Sequence, residues 1–167
     1  LERQQTLLRE KVREVERTQT ALSDSQERYA LAVQGSNDGL WDWDIDHDVV
    51  HFTRRWKTML GYHDEEIADR LQEWLCRVHP DDLARMRRVL DRHLKGETPH
   101  FAAEYRMRRK DGTYAWVFTR GIAVRDRHGR AYRVAGSQSD ITARKVAEER
   151  LRHEASHDIL TGLPNRA

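Results

Sequence analysis

The run Tyr114 to Val124, YAWVFTRGIAV, alternates with a period of two and yet is apolar on both of its faces. Tyr114, Trp116, Phe118, Ile122 and Val124 form a bulky face, while Ala115, Val117, Thr119, Gly121 and Ala123 form a small one. Arg120 is its only charge. A strand of that kind needs cover on both sides, which restricts it to the interior of a sheet. The small face suits either a cavity or a filled core, and the bulky face calls for a helix or a second subunit. The flanking segments supply the partner strands. FAAEYRMRR ends at KDG, residues 110 to 112, and the aromatic strand ends at DRHG, residues 126 to 129, before AYRVAGSQS. Asp-Gly and His-Gly between alternating runs are hairpin signals.

A second strand signal lies upstream in DGLWDWDIDHDVVHF, residues 38 to 52. Trp41, Trp43 and Ile45 alternate with Asp42, Asp44 and Asp46, so rings and carboxylates take opposite faces. Three close aspartates also suggest a calcium loop, which needs Gly at position 6 and Glu at position 12. Counted from Asp42 those positions hold His47 and Thr53. The expectation is therefore a strand with a solvated edge, a turn at His47 and Asp48, a second strand in HDVVHF, and no metal site.

Residues 54 to 95 have a helical texture. RRWKTMLG stops at Gly61, HDEEI begins a short acidic turn, and HPDD opens the helix DLARMRRVLDRHL with Pro80 in its first turn and Asp81 and Asp82 at its positive end. At the other extreme, residues 1 to 28 contain neither Gly nor Pro and carry a heptad seam. Leu1, Leu8, Val15, Leu22 and Tyr29 share one position, and Gln5, Val12, Gln19 and Gln26 share the other. Lys11 and Glu16 then face each other across two parallel chains. So polar a helix needs a partner in water, which predicts a parallel dimer through Leu8, Val12, Val15 and Leu22; a solvated single helix is the alternative. The element order is helix, two strands, short helices, three strands, helix: an α+β arrangement.

Composition agrees with one modest domain plus long polar helices. The 167 residues are 38% hydrophobic and 35% charged, with mean hydropathy −0.91. A net charge of +2, with both signs interspersed, predicts neither nucleic-acid binding nor direct membrane contact. No run reaches the about 20 apolar residues of a spanning helix. Cys76 stands alone, which excludes an internal disulfide and suits a reducing compartment, hence a cytoplasmic location. Leu1 in place of Met and the abrupt stop at Ala167 are read as the ends of a piece of a longer protein.

Residues 29 to 141 resemble a PAS domain. The resemblance rests on SNDGLWDWDID, WKTMLGY, VHPDD, EYRMRRKDG, YAWVF and GSQSDIT taken together. It implies a five-stranded antiparallel sheet with short helices over one face, enclosing a pocket for a small ligand or cofactor, or serving to dimerise. By the same resemblance the pocket side presents Trp41, Trp43, Tyr105, Met107, Val117, Thr119 and Gln138, with Trp56 opposite. The dimer interface adds Trp116, Phe118 and Ile122 of the outer face to the helical seam.

The segment HEASHDILTGLPNR, residues 153 to 166, resembles the opening of a GGDEF domain, the diguanylate cyclase family that makes cyclic di-GMP from two GTP. Asp158, Leu160, Thr161, Gly162, Leu163, Asn165 and Arg166 match it, and the GG(D/E)EF signature itself does not occur in these residues. The resemblance implies that residues 1 to 167 are the sensor and linker of a cyclase, with or without a phosphodiesterase domain, and are not themselves an enzyme. Between the two domains, residues 142 to 157 form a linker helix whose Ala143, Ala147, Leu151 and Ala155 make a stripe. Asp140 or Thr142 caps it, so Asp140, Ile141 and Thr142 are the expected output point. The GGDEF segment proper is residues 158 to 167.

The cofactor stays open. Gln138 occupies the place where light-sensing flavin members of the family keep a glutamine, but their NCRFLQ-type motif reduces here to Cys76 and Arg77 in LCRVHP. For haem the candidate axial ligands are His79 and His93, read respectively as a turn residue and a solvated helix residue. A ligand-free dimerisation scaffold is a second reading. A third, an RNA-binding sheet, rests on GTYAWVF after RMRRK; Thr113 interrupts its aromatic pattern, and the order of helices does not match.

Overall fold

The structure is a computed structural model and describes residues 2–156; Leu1, the last residue of the expected linker helix, 157, and the GGDEF-like segment 158–167 lie outside the described residues. Helix α1 (Glu2–Ser36) is a unit by itself, and a second compact unit begins at Asp38. The helix runs past its expected end because Gly35 is tolerated within the last turn, and the chain leaves the helix only at Asn37, whose φ of 56° is left-handed.

The second unit contains strands β1 (Gly39–Asp44) and β2 (Val49–Phe52), then helix α2 (Arg54–Met59), a single 3₁₀ turn at Asp64–Glu66, and helices α3 (Leu71–Leu75) and α4 (Pro80–Leu94). Strands β3 (Phe101–Arg108), β4 (Tyr114–Arg125) and β5 (Ala131–Asp140) follow, and helix α5 (Thr142–Ser156) closes the described chain. The five strands form one antiparallel sheet in the order β2-β1-β5-β4-β3. This is the expected architecture. Gly112 and Gly129 close the two hairpins with φ of 87° and 81°, conformations that residues with a Cβ rarely adopt.

One expectation is corrected by that order: β1 is no edge, because it pairs with β2 on one side and β5 on the other. The true edges are β2 and β3, and both are partly covered. Val50 N–H donates to the Asp69 carbonyl, while Arg108 N–H donates to Arg77 and His79 N–H to Arg106 along the free side of β3. Covering these rows of backbone groups blunts sheet-to-sheet aggregation.

Alternation decides the two faces. Trp41, Trp43, Val50, Phe52, Phe101, Ala103, Tyr105, Met107, Ala115, Val117 and Val134 are buried between sheet and helices, joined by Trp56, Leu60, Trp74, Met86 and Leu90 from the helices. The small face of β4 is thus the inner one, and Ile122 and Val124 are exposed outside. Trp41 shows why the small residues are needed. A Cβ on Gly121 would fall 2.6 Å from its Cη2, and a Cβ on Gly136 would fall 2.7 Å from its Cζ2. The two glycines make a floor for the indole.

Helix α4 carries a second correction. His93 is buried rather than solvated, with 2% of its surface exposed. Its Nε2 accepts from the Ala123 N–H at 2.9 Å, so Nδ1 carries the proton and donates to the Thr98 carbonyl, also at 2.9 Å. Both ring nitrogens are occupied in fastening α4 to β4. His79 does sit in the turn, where its Nδ1 caps α4 by accepting from the Asp81 N–H at 3.2 Å.

Candidate functional site

The eight residues expected to line a pocket, Trp41, Trp43, Trp56, Tyr105, Met107, Val117, Thr119 and Gln138, are all buried and all belong to the interior between sheet and helices. Register explains their proximity. Gln138 pairs with Gly39 on β1 and with Thr119 on β4, and Thr119 pairs with Ala103 of β3, next but one to Tyr105. A Cβ on Gly39 would lie 2.5 Å from the Cα of Trp56, so α2 rests directly on the start of β1. Trp56, Trp41 and Trp43 therefore follow one another along the inner side of that strand. Phe52 stacks on Trp56 with centroids 4.1 Å apart, and Trp41 meets Trp74 at 4.8 Å.

A buried hydrogen-bond chain crosses this apolar interior. The indole Nε1 of Trp74 donates to the Tyr105 hydroxyl at 2.9 Å, that hydroxyl meets Thr119 Oγ1 at 2.7 Å, and Thr119 donates to Gln138 Oε1 at 3.1 Å. Burial pushes the Tyr105 phenol up from its ordinary value, against the smaller downward pull of Thr119 and Trp74, so the ring stays protonated. Tyr105 accepts from Trp74 and must then donate to Thr119, which fixes every proton in the chain. The far end is loosely held: among the described residues Gln138 Nε2 finds only Met59 Sδ, at 4.0 Å. Trp74 and Met59 were not anticipated. Trp74 lies in a five-residue helix too short to show a periodic face.

Three indole nitrogens lack any such partner. Nε1 of Trp41, Trp43 and Trp56 each expose less than 1 Å² and meet no hydrogen-bond acceptor among the described residues. Charged groups stay outside this row, since the buried ones are paired at its margins: Lys57 with Asp64, Arg77 with Glu73 and Asp82 with Arg106.

Asp42 and Asp44 of β1, and Asp46 in the turn after it, are engaged by basic side chains. Asp42 takes a two-pronged contact from Arg133 on the neighbouring β5, Asp46 pairs with Arg130, and Asp44 accepts from His47. Hydrogen bonding to Asp42 raises the Arg133 pKa, and that from His47 lowers the Asp44 carboxyl. Together these pairs fasten β1, its turn and β5 as a cross-strand ladder. Cys76 is exposed, with its Sγ near the Glu73 carbonyl and Arg77 rather than among the interior rings.

The expected output residues meet β4 at the point where α5 begins. Ile141 N–H donates to the Trp116 carbonyl at 2.9 Å, and Trp116 N–H donates to Thr142 Oγ1 at 3.0 Å. Asp140 caps the helix by accepting from Thr142 N–H at 2.9 Å and pairs with Arg109 at 2.8 Å. Burial alone would raise the Asp140 carboxyl, but Thr142 and Arg109 outweigh it and hold it below its ordinary value.

Glu104 of β3 adds a second clamp that sequence reading missed. It accepts from Arg144 and Lys145 at 2.6 Å each, and those bonds, Lys145 first, lower its pKa. Lys145 Nζ also lies 5.1 Å from the Trp116 ring, which Arg106 approaches at 5.5 Å. Glu104→Gln is expected to weaken the first turn of α5 by about 1 kcal/mol, because the network is partly solvated. Hydrogen exchange should show about a fivefold loss of protection at Lys145 and Val146, with β5 unchanged.

The comparisons with known proteins agree with this geometry. A family model described as PAS fold matches residues 49–138. The chain is 31% identical over 153 residues to an uncharacterised protein, y4lL, of Sinorhizobium fredii, covering 87% of this chain and 18% of that one. It is 26% identical over 147 residues to the probable diguanylate cyclase DgcE of Escherichia coli, covering 87% of this chain and 13% of that one. The chain thus spans less than a fifth of either curated relative. Among solved structures, a sensory box histidine kinase/response regulator from Burkholderia thailandensis is 37% identical with a TM-score of 0.67, covering 75% of this chain and 92% of that one. The matched segment holds the last four strands of the sheet and the whole tryptophan-lined interior except β1, and on that ground the chain belongs to the PAS family.

Proposed function

We propose that the sheet domain is a sensor whose interior state passes through α5 to a downstream GGDEF domain that makes cyclic di-GMP, and that the chain works as a homodimer. The observation that carries this reading is the position of Gln138. It ends the buried Trp74, Tyr105, Thr119 chain, and two residues later on the same strand Asp140 caps the output helix. A change at the Gln138 amide therefore acts on a strand whose next inward step is the helix anchor. The output assignment draws on the likeness to the E. coli cyclase and on the GGDEF-like tail.

Dimerisation is supported by α1. Leu8, Val12, Val15, Leu22 and Tyr29 are exposed along one seam of a helix that forms its own unit, and such a stripe is stable in water only when a partner covers it. On the sheet, Ile122 is exposed as well, while Trp116 and Phe118 are half-covered. Light scattering is expected to give a dimer for the chain, and a monomer at high concentration overturns that part. Sensing is tested in the chain extended by its natural C-terminal continuation. Gln138→Leu is expected to change GTP turnover to cyclic di-GMP severalfold while leaving the dimer intact; unaltered turnover counts against the reading. The closed contact of Trp41 with Trp74 and Phe101 favours a second reading, a ligand-free dimerisation scaffold, under which the same variant is silent.

A further inference from the structure

Strand β3 is gripped by two helices at once. As an edge strand it turns Glu104 and Arg106 to the same outer side, roughly 6.6 Å apart along the strand. Helix α4 holds both residues from the free edge. The His79 N–H donates to the Arg106 carbonyl at 2.8 Å, Arg85 donates to the Glu104 carbonyl at 2.8 Å, and Asp82 takes the Arg106 guanidinium. Helix α5 holds the Glu104 carboxylate through Arg144 and Lys145. The two grips meet on Trp116, whose ring has the Arg106 guanidinium at 5.5 Å and Lys145 Nζ at 5.1 Å. Two cations thus share one ring, and each is held in place by a different carboxylate.

We propose that Arg106 is the moving part of a charge-exchange switch between α4 and α5: when Asp82 withdraws, Arg106 turns to Glu104, displaces Arg144 and Lys145, and frees the flank of α5 from β3. The reach is short, since Glu104 lies one alternation away on the same face and an arginine side chain spans that distance. Every displaced charge has a second partner on its own helix. Asp82 keeps Arg85, 3.7 Å from its Oδ1, while Arg144 and Lys145 have Glu148 at 3.3 and 3.9 Å. The two arrangements therefore pair the same charges, which is what a two-state element requires. Asp81 is the rival claimant for Arg106, at 3.7 Å, but its side chain is 76% exposed against 34% for Glu104, and an ion pair weakens with solvation. An unneutralised guanidinium beside Lys145 on one ring also favours the departure of Lys145 by like-charge repulsion. The cap at Asp140 and the backbone bonds of Trp116 involve none of these side chains, so the switch frees the flank of α5 and leaves its start attached. This route runs outside the interior and is independent of the chain that ends at Gln138.

Hydrogen exchange on the whole chain tests the switch, read at Lys145 and Val146 and referred to the β5 amides to remove any general loss of stability. Asp82→Asn keeps an acceptor for the Arg106 backbone and removes the charge. Protection at Lys145 and Val146 is expected to fall about threefold relative to β5. Adding Arg106→Met removes the competitor for Glu104, so the double variant should return to the parent level although it has lost one contact more. A plain weakening of the α4 joint gives the reverse, a double variant no better protected than the single one. Unchanged protection in Asp82→Asn, or no recovery in the double variant, overturns the switch. Should Arg106→Met fail to fold, the Glu104→Gln chain decides. There the carboxylate that Arg106 would capture is already neutral, so Asp82→Asn should add no further loss, and a further threefold loss of about the same size overturns the proposal. None of these results bears on the interior route, which Gln138→Leu tests separately.

Discussion

Gly136→Ala is expected to destabilise the sheet domain by about 3 kcal/mol or more, the upper range for overpacking, and to lower its melting temperature by about 10 °C. The added Cβ would stand 2.0 Å from the Arg120 carbonyl oxygen, 2.7 Å from the Gly121 Cα and 2.7 Å from Trp41 Cζ2. Two of those neighbours are backbone atoms of the adjoining strand β4, which cannot swing aside as a side chain tip can. Relief requires β4 and β5 to separate where they carry paired residues on both sides of Gly136, and where β1 is hydrogen-bonded to the other edge of β5. The remaining neighbour is an indole packed against Trp74 and Phe101, so a shift there spreads through the core. Gly35→Ala is the matched control. It sits in α1 with nothing within 4 Å of its Cβ and should raise helix stability by about 1 kcal/mol. Thermal denaturation followed by tryptophan fluorescence reads the first, and far-ultraviolet circular dichroism the second. Equal melting of Gly136→Ala and the parent chain would contradict the close approach of the two strands.

How far the sequence alone carries can be judged from such positions. Period-two alternation was enough to put Trp41 with Trp43 on one face, and Ala115 with Val117 and Thr119 on one face, because a strand offers a side chain only two directions; that these are the inner faces came from the resemblance to the PAS family. It also placed Gly121 on the small face. What alternation lacks is the neighbour in space. That Gly121 and Gly136 jointly floor one indole depends on the β4–β5 register, and that β1 is an interior strand depends on a pairing with β5 roughly ninety to a hundred residues later. His93 is the sharper case: it lies on a polar helix, and its burial comes from Thr98 and Ala123, which meet it only when α4 lands on β4. Asp42, Asp44 and Asp46 were read as the solvated side of a strand and its turn, but the partners of Asp42 and Asp46, Arg133 and Arg130, sit beyond another hairpin. The start of α5 was legible because Asp140, Ile141 and Thr142 are contiguous, whereas Glu104 was missed because it reaches Arg144 and Lys145 from β3, far off in sequence.

Asp82→Ala is expected to lower stability by about 2–3 kcal/mol through the joint between α4 and the sheet. Asp82 Oδ2 accepts from the Arg106 backbone N–H at 2.9 Å and from its Nε at 2.8 Å, while Oδ1 accepts from the same guanidinium at 3.1 Å. One carboxylate therefore satisfies a backbone donor on the free side of β3 and a half-buried charge at once. It does so from the first turn of α4, where negative charge is also favoured by the helix. Truncation leaves Arg106 without its main partner; Asp81 at 3.7 Å and water at its exposed side hold the loss below that of a fully buried pair. The same contact makes the fold acid-sensitive. Hydrogen bonding from Arg106 lowers the Asp82 carboxyl below its ordinary value, so its folded pKa lies under the about 3.9 of the unfolded chain. The stabilisation is then complete above about pH 5 and is lost as pH falls through the depressed folded value. In Asp82→Asn the carboxylate is already gone, so urea midpoints measured from pH 6 down to pH 3 should begin lower and fall less steeply than those of the parent chain. Parallel curves for the two proteins would mean that the acid limb belongs to other carboxylates, with Asp140 and Glu104 at α5 the next to test, since both are lowered by their hydrogen-bond partners.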